Sequence, residues 1–196
     1  MMRAFLLIAS GLLMVPTVPA AAHKLIDAGE TVTVAKSDLT VVPAIDWNRI
    51  NERPGKEAER WTLDGELLND VLFFAEVEDG DAIFREVDKR NSPLPRFSGN
   101  MLLIDLPDFL NSSMRIAKGH QTFSVDSVAP TTFLGQPGVS VSFSTVGNDD
   151  IRRRGRAVAT IIDGELFMMT FEAPTIYFFE RDLPHFEQLV ASARLS

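Results

Sequence analysis

The chain has 196 residues, of which 45% are hydrophobic and none is cysteine, and its 27 acidic side chains outnumber 19 basic ones. An acidic chain with scattered bases lacks the concentrated positive face that phosphate neutralisation needs, so a nucleic-acid partner is not expected. Without thiols, cysteine-ligated zinc, iron–sulfur centres and a lipid-acylated cysteine are excluded.

Residues 1–22 read as a secretory signal. Arg3 precedes an apolar run from Ala4 to Val15, Pro16 and Pro19 break it, and Ala20-Ala21-Ala22 supplies the small residues of a cleavage site before His23. The run is shorter than the roughly 20 residues a membrane-spanning helix requires, so no stable span is expected after cleavage. The expected location is the periplasm of a Gram-negative bacterium, or the medium. Residues 23–196 are enough for one hydrophobic core, expected as a single domain. Losing Arg3 leaves the mature chain near −9 in charge.

In chain order, residues 31–35 alternate as a strand, and a second strand runs from Leu39 to Asp46 with Pro43 marking an edge or bulge. Residues 47–59 are polar, and Pro54-Gly55 marks a turn. A short strand at 60–63 precedes Asp64-Gly65. A firm strand covers Val71 to Val77, and Glu78-Asp79-Gly80-Asp81 is expected to close a hairpin onto Ala82–Arg85. Residues 86–100 are a long irregular connection. Asp105 then caps a helix reaching Lys118, with Phe109, Leu110, Met114 and Ala117 as its apolar stripe and Gly119 as its stop. Strands follow at 121–129, ended by Pro130, and at 138–146, where Val139, Val141 and Phe143 alternate with serines that face water.

Residues 152–195 are the most legible block. Asp163-Gly164 between two apolar runs fits a type I′ turn. A two-residue loop pairs Ile162 with Glu165, Ile161 with Leu166, Thr160 with Phe167, Ala159 with Met168 and Val158 with Met169. Both parities of this hairpin are apolar: Val158, Ile162, Phe167, Met169 and Phe171 on one face, Ala157, Ala159, Ile161, Leu166 and Met168 on the other. A strand pair apolar on both faces belongs in the middle of a covered sheet. Asp182 as N-cap and Pro184 in the first turn then start a closing helix with Phe186, Leu189, Val190 and Ala193 as its stripe. The order of elements predicts an α+β fold with a mostly antiparallel central sheet covered by helices.

The segment IIDGELFMMTFEAPTIYFF…LPHFEQLVASARL resembles the close of PsbP/Mog1-like domains of exported bacterial proteins, through Phe171-Glu172-Ala173-Pro174 and Ser192-Ala193-Arg194-Leu195. Trp61 to Phe74 also resembles a stretch found in such proteins. The resemblance implies an α/β/α sandwich used as an accessory or binding module, and it carries no catalytic residues over.

Assembled chemistry is absent. His23, His120 and His185 share no metal-ligand spacing and read as isolated structural or surface residues. There is no G-x-S-x-G elbow. The acidic group Glu76, Glu78, Asp79, Asp81 fails the calcium-loop pattern because Ala75 falls in its first ligand position. No cofactor or metal is expected. Two features remain as candidate anion or partner sites. Arg152, Arg154 and Arg156 share one face of a strand, suited to a carboxylate or phosphate, unless Asp149 and Asp150 neutralise them. Lys89, Arg90, Arg96 and Phe97 lie in the irregular connection, either docking a partner or lying over the sheet with Leu94 and Phe97 in the core. The expected function is therefore a non-enzymatic envelope module that binds a protein or a small anionic ligand. The alternative is an envelope-polymer hydrolase acting through carboxylates or serine, which requires a deep cleft with convergent polar groups and a perturbed carboxylate.

Overall fold

The structure is a computed structural model and describes residues 23–196, so residues 1–22, where a secretory signal is expected, lie outside the described residues. Its strands are β1 (Lys24–Ile26), β2 (Val32–Thr33), β3 (Leu39–Val41), β4 (Trp47–Ile50), β5 (Ala58–Thr62), β6 (Asp70–Val77), β7 (Thr122–Phe133), β8 (Gln136–Val146), β9 (Arg152–Ile162), β10 (Glu165–Pro174) and β11 (Arg194–Leu195). Two α-helices, α1 (Leu106–Lys118) and α2 (Phe178–Ser192), complete it. Eight strands form one sheet in the order β1-β4-β5-β6-β10-β9-β8-β7, and β11-β3-β2 form a small second one. Every pairing among the described strands is antiparallel.

The β9–β10 hairpin has the register the Asp163-Gly164 turn dictates, residue for residue from Ile162–Glu165 outward. Asp163 and Gly164 both have positive φ, as that turn needs. β6 flanks β10 and β8 flanks β9, so the hairpin is central. Its two parities feed two cores. Val158, Phe167, Met169 and Phe171 pack with Phe179, Phe186 and Leu189 of α2 and with Leu39 and Val41 of β3. Ala157, Ala159, Leu166 and Met168 pack with Leu106, Phe109, Leu110 and Met114 of α1 and with Ile83, Leu94 and Phe97. Each face thus carries one helix, supplemented on one side by the small sheet and on the other by the irregular segment.

Several expectations need correction. Ala82–Arg85 forms no strand. The edge of β6 that such a hairpin would use is already taken by β5, and residues 80–81 instead exchange two backbone hydrogen bonds with Phe97, both 2.8 Å. β7 runs through Pro130, because an edge strand tolerates a missing N–H on its open side. Strands β1 and β4 arise in stretches without apolar alternation. The expected strand at 39–46 ends at Val41. Ala117 is exposed, and Leu106 and Ser113 fill the buried stripe of α1.

The closing helix begins one turn earlier than its start signals imply. Phe179 stacks on Phe171 at 5.6 Å and draws residues 178–181 into the helix, leaving Pro184 inside it. Asp182 is then a buried side chain that accepts from Asn69 Nδ2 at 3.0 Å. The C-terminal tail belongs to the same fastening. Ser192 Oγ accepts from the Val42 amide at 3.0 Å, and Arg194-Leu195 pair with β3.

Truncating Leu189 to Ala is expected to destabilise the chain by about 2–5 kcal/mol in urea unfolding. Gly155 lies beneath the Phe143 ring, and a Cβ there would sit 2.1 Å from it. Gly155→Ala is therefore expected to destabilise the fold by the roughly 1–3 kcal/mol typical of overpacking, seen as a lower melting temperature.

Candidate functional site

Where β6 begins and β10 ends, Asp70 and Glu172 stand directly opposite each other. Facing like charges repel unless something bridges them. Lys118 does so: its ammonium donates to Asp70 Oδ2 and to Glu172 Oε2, both at 2.7 Å. It is the last residue of α1, where the helix dipole favours a cation, and Gly119 ends the helix in the left-handed conformation. Thr145 Oγ1 donates to Glu172 Oε1 at 2.5 Å, and His120 Nε2 lies 3.4 Å from the same oxygen. Arg60 Nε approaches Asp70 Oδ1 at 3.1 Å. Arg60, Asp70, Lys118, His120 and Glu172 line the inner wall of a cleft of about 390 Å³, completed by Glu66, Leu67, Asn148, Asp149 and Arg153, with Thr145 buried behind Glu172. The outer pair Arg153–Asp149 is bidentate, at 3.0 and 2.6 Å.

The electrostatics follow from burial and pairing. Burial opposes the Lys118 charge, yet Asp70 and Glu172 together hold the ammonium above the ordinary lysine value. Burial likewise opposes the Glu172 charge, and Lys118 then His120 overcome it and hold the carboxyl below its ordinary value. Burial pushes His120 below 6.5, helped by Lys118 and Arg153 against the attraction of Glu172. Both members of the central pair are thus locked in their charged forms. The imidazole stays neutral near pH 7, with a buried Nδ1 that has no hydrogen-bond partner.

Of the inner cluster Asp70, Lys118, His120 and Glu172, the sequence points to His120 alone as a candidate, read as isolated, whereas Arg153 and Asp149 at the outer edge belong to the charge run read at the start of β9. Lys118 is separated from Asp70 by 48 residues and from Glu172 by 54, so no spacing could have revealed it. The one available signal was a pair of acids at the ends of otherwise apolar strands.

The arginine row lies on the opposite face of β9. Arg154 rests over the Phe179 ring at 4.4 Å and pairs with Glu180, not with the turn aspartates. It is Arg153, pointing to the cleft side, that takes Asp149. Arg152 and Arg156 make no ion pair among the described residues. In the irregular segment, Phe97 is 1% exposed and packs on Phe109, and Arg96 pairs with Glu86. Lys89 and Arg90 are exposed. The row and the segment do not come together into one site.

No family model matches the chain, and no curated protein matches it. Among solved structures, cyanobacterial PsbP (CyanoP) from Synechocystis superposes with a TM-score of 0.54 at 12% identity, over 94% of this chain and 99% of that one. The chain has the PsbP-like fold. A protein from Bacteroides thetaiotaomicron aligns with a TM-score of 0.51 at 10% identity, over 86% of this chain but 48% of that one. At such identities the likeness concerns the fold. Within the PsbP-like fold of this chain, the residues that carried the C-terminal resemblance have structural roles. Phe171 stacks between Phe179 and Phe186, Glu172 anchors Lys118, and Ser192 to Leu195 fasten the tail. Among the described residues no group of acidic and histidine side chains could hold a metal ion, and no helix is long and apolar enough to cross a membrane.

Lys118→Met strands two facing buried carboxylates and is expected to cost about 3–5 kcal/mol in urea unfolding at pH 7. The pH profile has a definite sign. Glu172, depressed in the fold, stabilises above its unfolded value of about 4.5, and that contribution is lost as pH falls through the folded value. His120, also depressed, binds its proton more readily when unfolded, so stability should drop as pH falls below 6.5. His120→Gln is expected to flatten the part of the profile just below pH 6.5 and leave the acid limb due to Glu172 in place.

Proposed function

We propose that the chain is an exported, non-catalytic binding or accessory module of the bacterial envelope, its residues 23–196 forming one α+β domain in the α/β/α arrangement after removal of residues 1–22. The observation that carries this reading is the state of the cleft. It has the convergent polar groups a hydrolase needs, but its central charges, Lys118 against Asp70 and Glu172, neutralise one another, and burial holds His120 neutral beside them. A general acid or base works when its pKa lies near the operating pH. Lys118 is pushed up and Glu172 down, away from neutrality on both sides. No serine lines the cleft, and the Thr145 hydroxyl is committed to Glu172. Such a cluster positions α1 against the sheet and leaves the surface to make contacts.

The surface we favour for contact includes the arginine row, because Arg152 and Arg156 present guanidinium groups without an internal counter-ion in a chain that is otherwise acidic. A protein or a small anionic ligand with carboxylate or phosphate groups suits them. Lys89 and Arg90 are a secondary, separate candidate. Replacing Arg152, Arg154 and Arg156 with Gln should reduce capture of envelope components in pull-downs at least several-fold, with the melting temperature little changed. Unchanged capture would remove the row from the proposal. Turnover of isolated cell-wall material by the wild-type protein, abolished by Glu172→Gln, would replace this reading with the hydrolase one.

A further inference from the structure

Beside the cleft, three loops meet at the same end of the sheet and expose apolar side chains that no core uses. Ile176 is 86% exposed, Leu67 70%, Tyr177 65% and Ile151 42%. The loops are tied together: the Thr175 amide donates to Arg152 O at 3.0 Å, and Arg181 pairs with Asp64 while lying 5.2 Å from the Tyr177 ring centroid. The presentation is conformationally costly. Tyr177 has φ 73° and ψ −57°, and the Phe178 amide donates to Ile176 O at 2.9 Å, which is the strained γ-turn that non-glycine residues rarely adopt. Exposed Ile and Tyr flanked by Arg are the composition of an interface centre.

Charge narrows the occupant. Arg152 has no acidic partner, and Asp150, two residues away, accepts only from the neutral amide of Gln121 at 3.3 Å. An unpaired cation and an unpaired anion on either side of Ile151 make the patch complementary to itself. About a two-fold axis, Arg152 of each copy meets Asp150 of the other, and Ile151, Ile176 and Tyr177 are enclosed between them. An anionic bilayer is less well suited, since Asp149 and Asp150 would face its headgroups. From this we infer that the end of the sheet formed by residues 149–152 and 175–178 is a homodimer interface, seating a second copy of this chain. The inference goes beyond the proposed function and does not depend on the arginine row capturing a partner.

Sedimentation equilibrium of the purified chain tests it. Dimer is expected over roughly 1–100 μM, weakened about tenfold or more by Ile176→Ser with Tyr177→Ser. Arg152→Asp and Asp150→Arg, both at exposed positions, should each weaken it roughly fivefold, and the double reversal should restore it. Asp150 has φ 57°, so each variant's melting temperature is read alongside to separate lost folding from lost association. A monomer up to about 200 μM, or a dimer indifferent to these four changes, overturns the inference. So does a monomer that co-sediments with phosphatidylglycerol vesicles, which would make a lipid surface the occupant. A monomer that still captures envelope components leaves the proposed function standing, so the two failures are distinguishable.

Discussion

A β-hairpin apolar on both faces must be covered twice, and the rest of this chain is arranged to do so. Burying a Leu, Met or Phe side chain contributes roughly 1.5–3 kcal/mol, and β9–β10 offers such groups in both directions. One face collects α2, the small sheet and the C-terminal tail, and the other collects α1 and residues 82–102. The tail fastening and the paired backbone at Phe97 are consequences of the same need. Neither cover is a continuous layer of helix, so shorter pieces must be held in place by hydrogen bonds.

The charged cluster follows from the same constraint. α1 covers its face only if its C-terminal end meets the sheet where β6 and β10 cease to be apolar. Asp70 and Glu172 mark that boundary, and Lys118 docks the helix onto them. A buried ion pair is weak evidence for net stability, because desolvation offsets much of the attraction. Its value here is in specifying where the helix end sits. The cost appears in the chemistry, since groups held charged so firmly do not exchange protons near neutral pH.

The parts legible in the sequence are those governed by local pattern. Hairpin register came from Asp163-Gly164, and the double-sided apolar pattern placed the hairpin mid-sheet. α1 was bounded by Asp105 and Gly119. The parts that escaped are governed by tertiary contact. Asp182 and Pro184 mimic a helix start, but Phe179 stacking on Phe171 outweighs them. Trp47-Asn48-Arg49-Ile50 has no alternation because it lies near the sheet margin, where only Trp47 is buried. Pro130 stops a central strand but not an edge one. The small sheet is built from strands of two or three residues, too short to carry a period. Among the candidate site residues, alternation correctly put Arg152, Arg154 and Arg156 on one face. It could not show that Glu180, from α2, takes Arg154. For Phe97 and Leu94, of the two readings the segment allowed, burial in the core is the one observed.

Amide hydrogen exchange reads out the double covering of the β9–β10 hairpin strand by strand. Doubly covered strands should open only when the whole fold does. The amides of residues 157–161 and 166–171 are expected to be the slowest in the chain and to share one opening free energy equal to that of global unfolding. The edge strand β7 should exchange faster. Hairpin amides that exchange as fast as those of β7, or two faces that open independently, would mean that the hairpin is not the doubly covered centre of the fold.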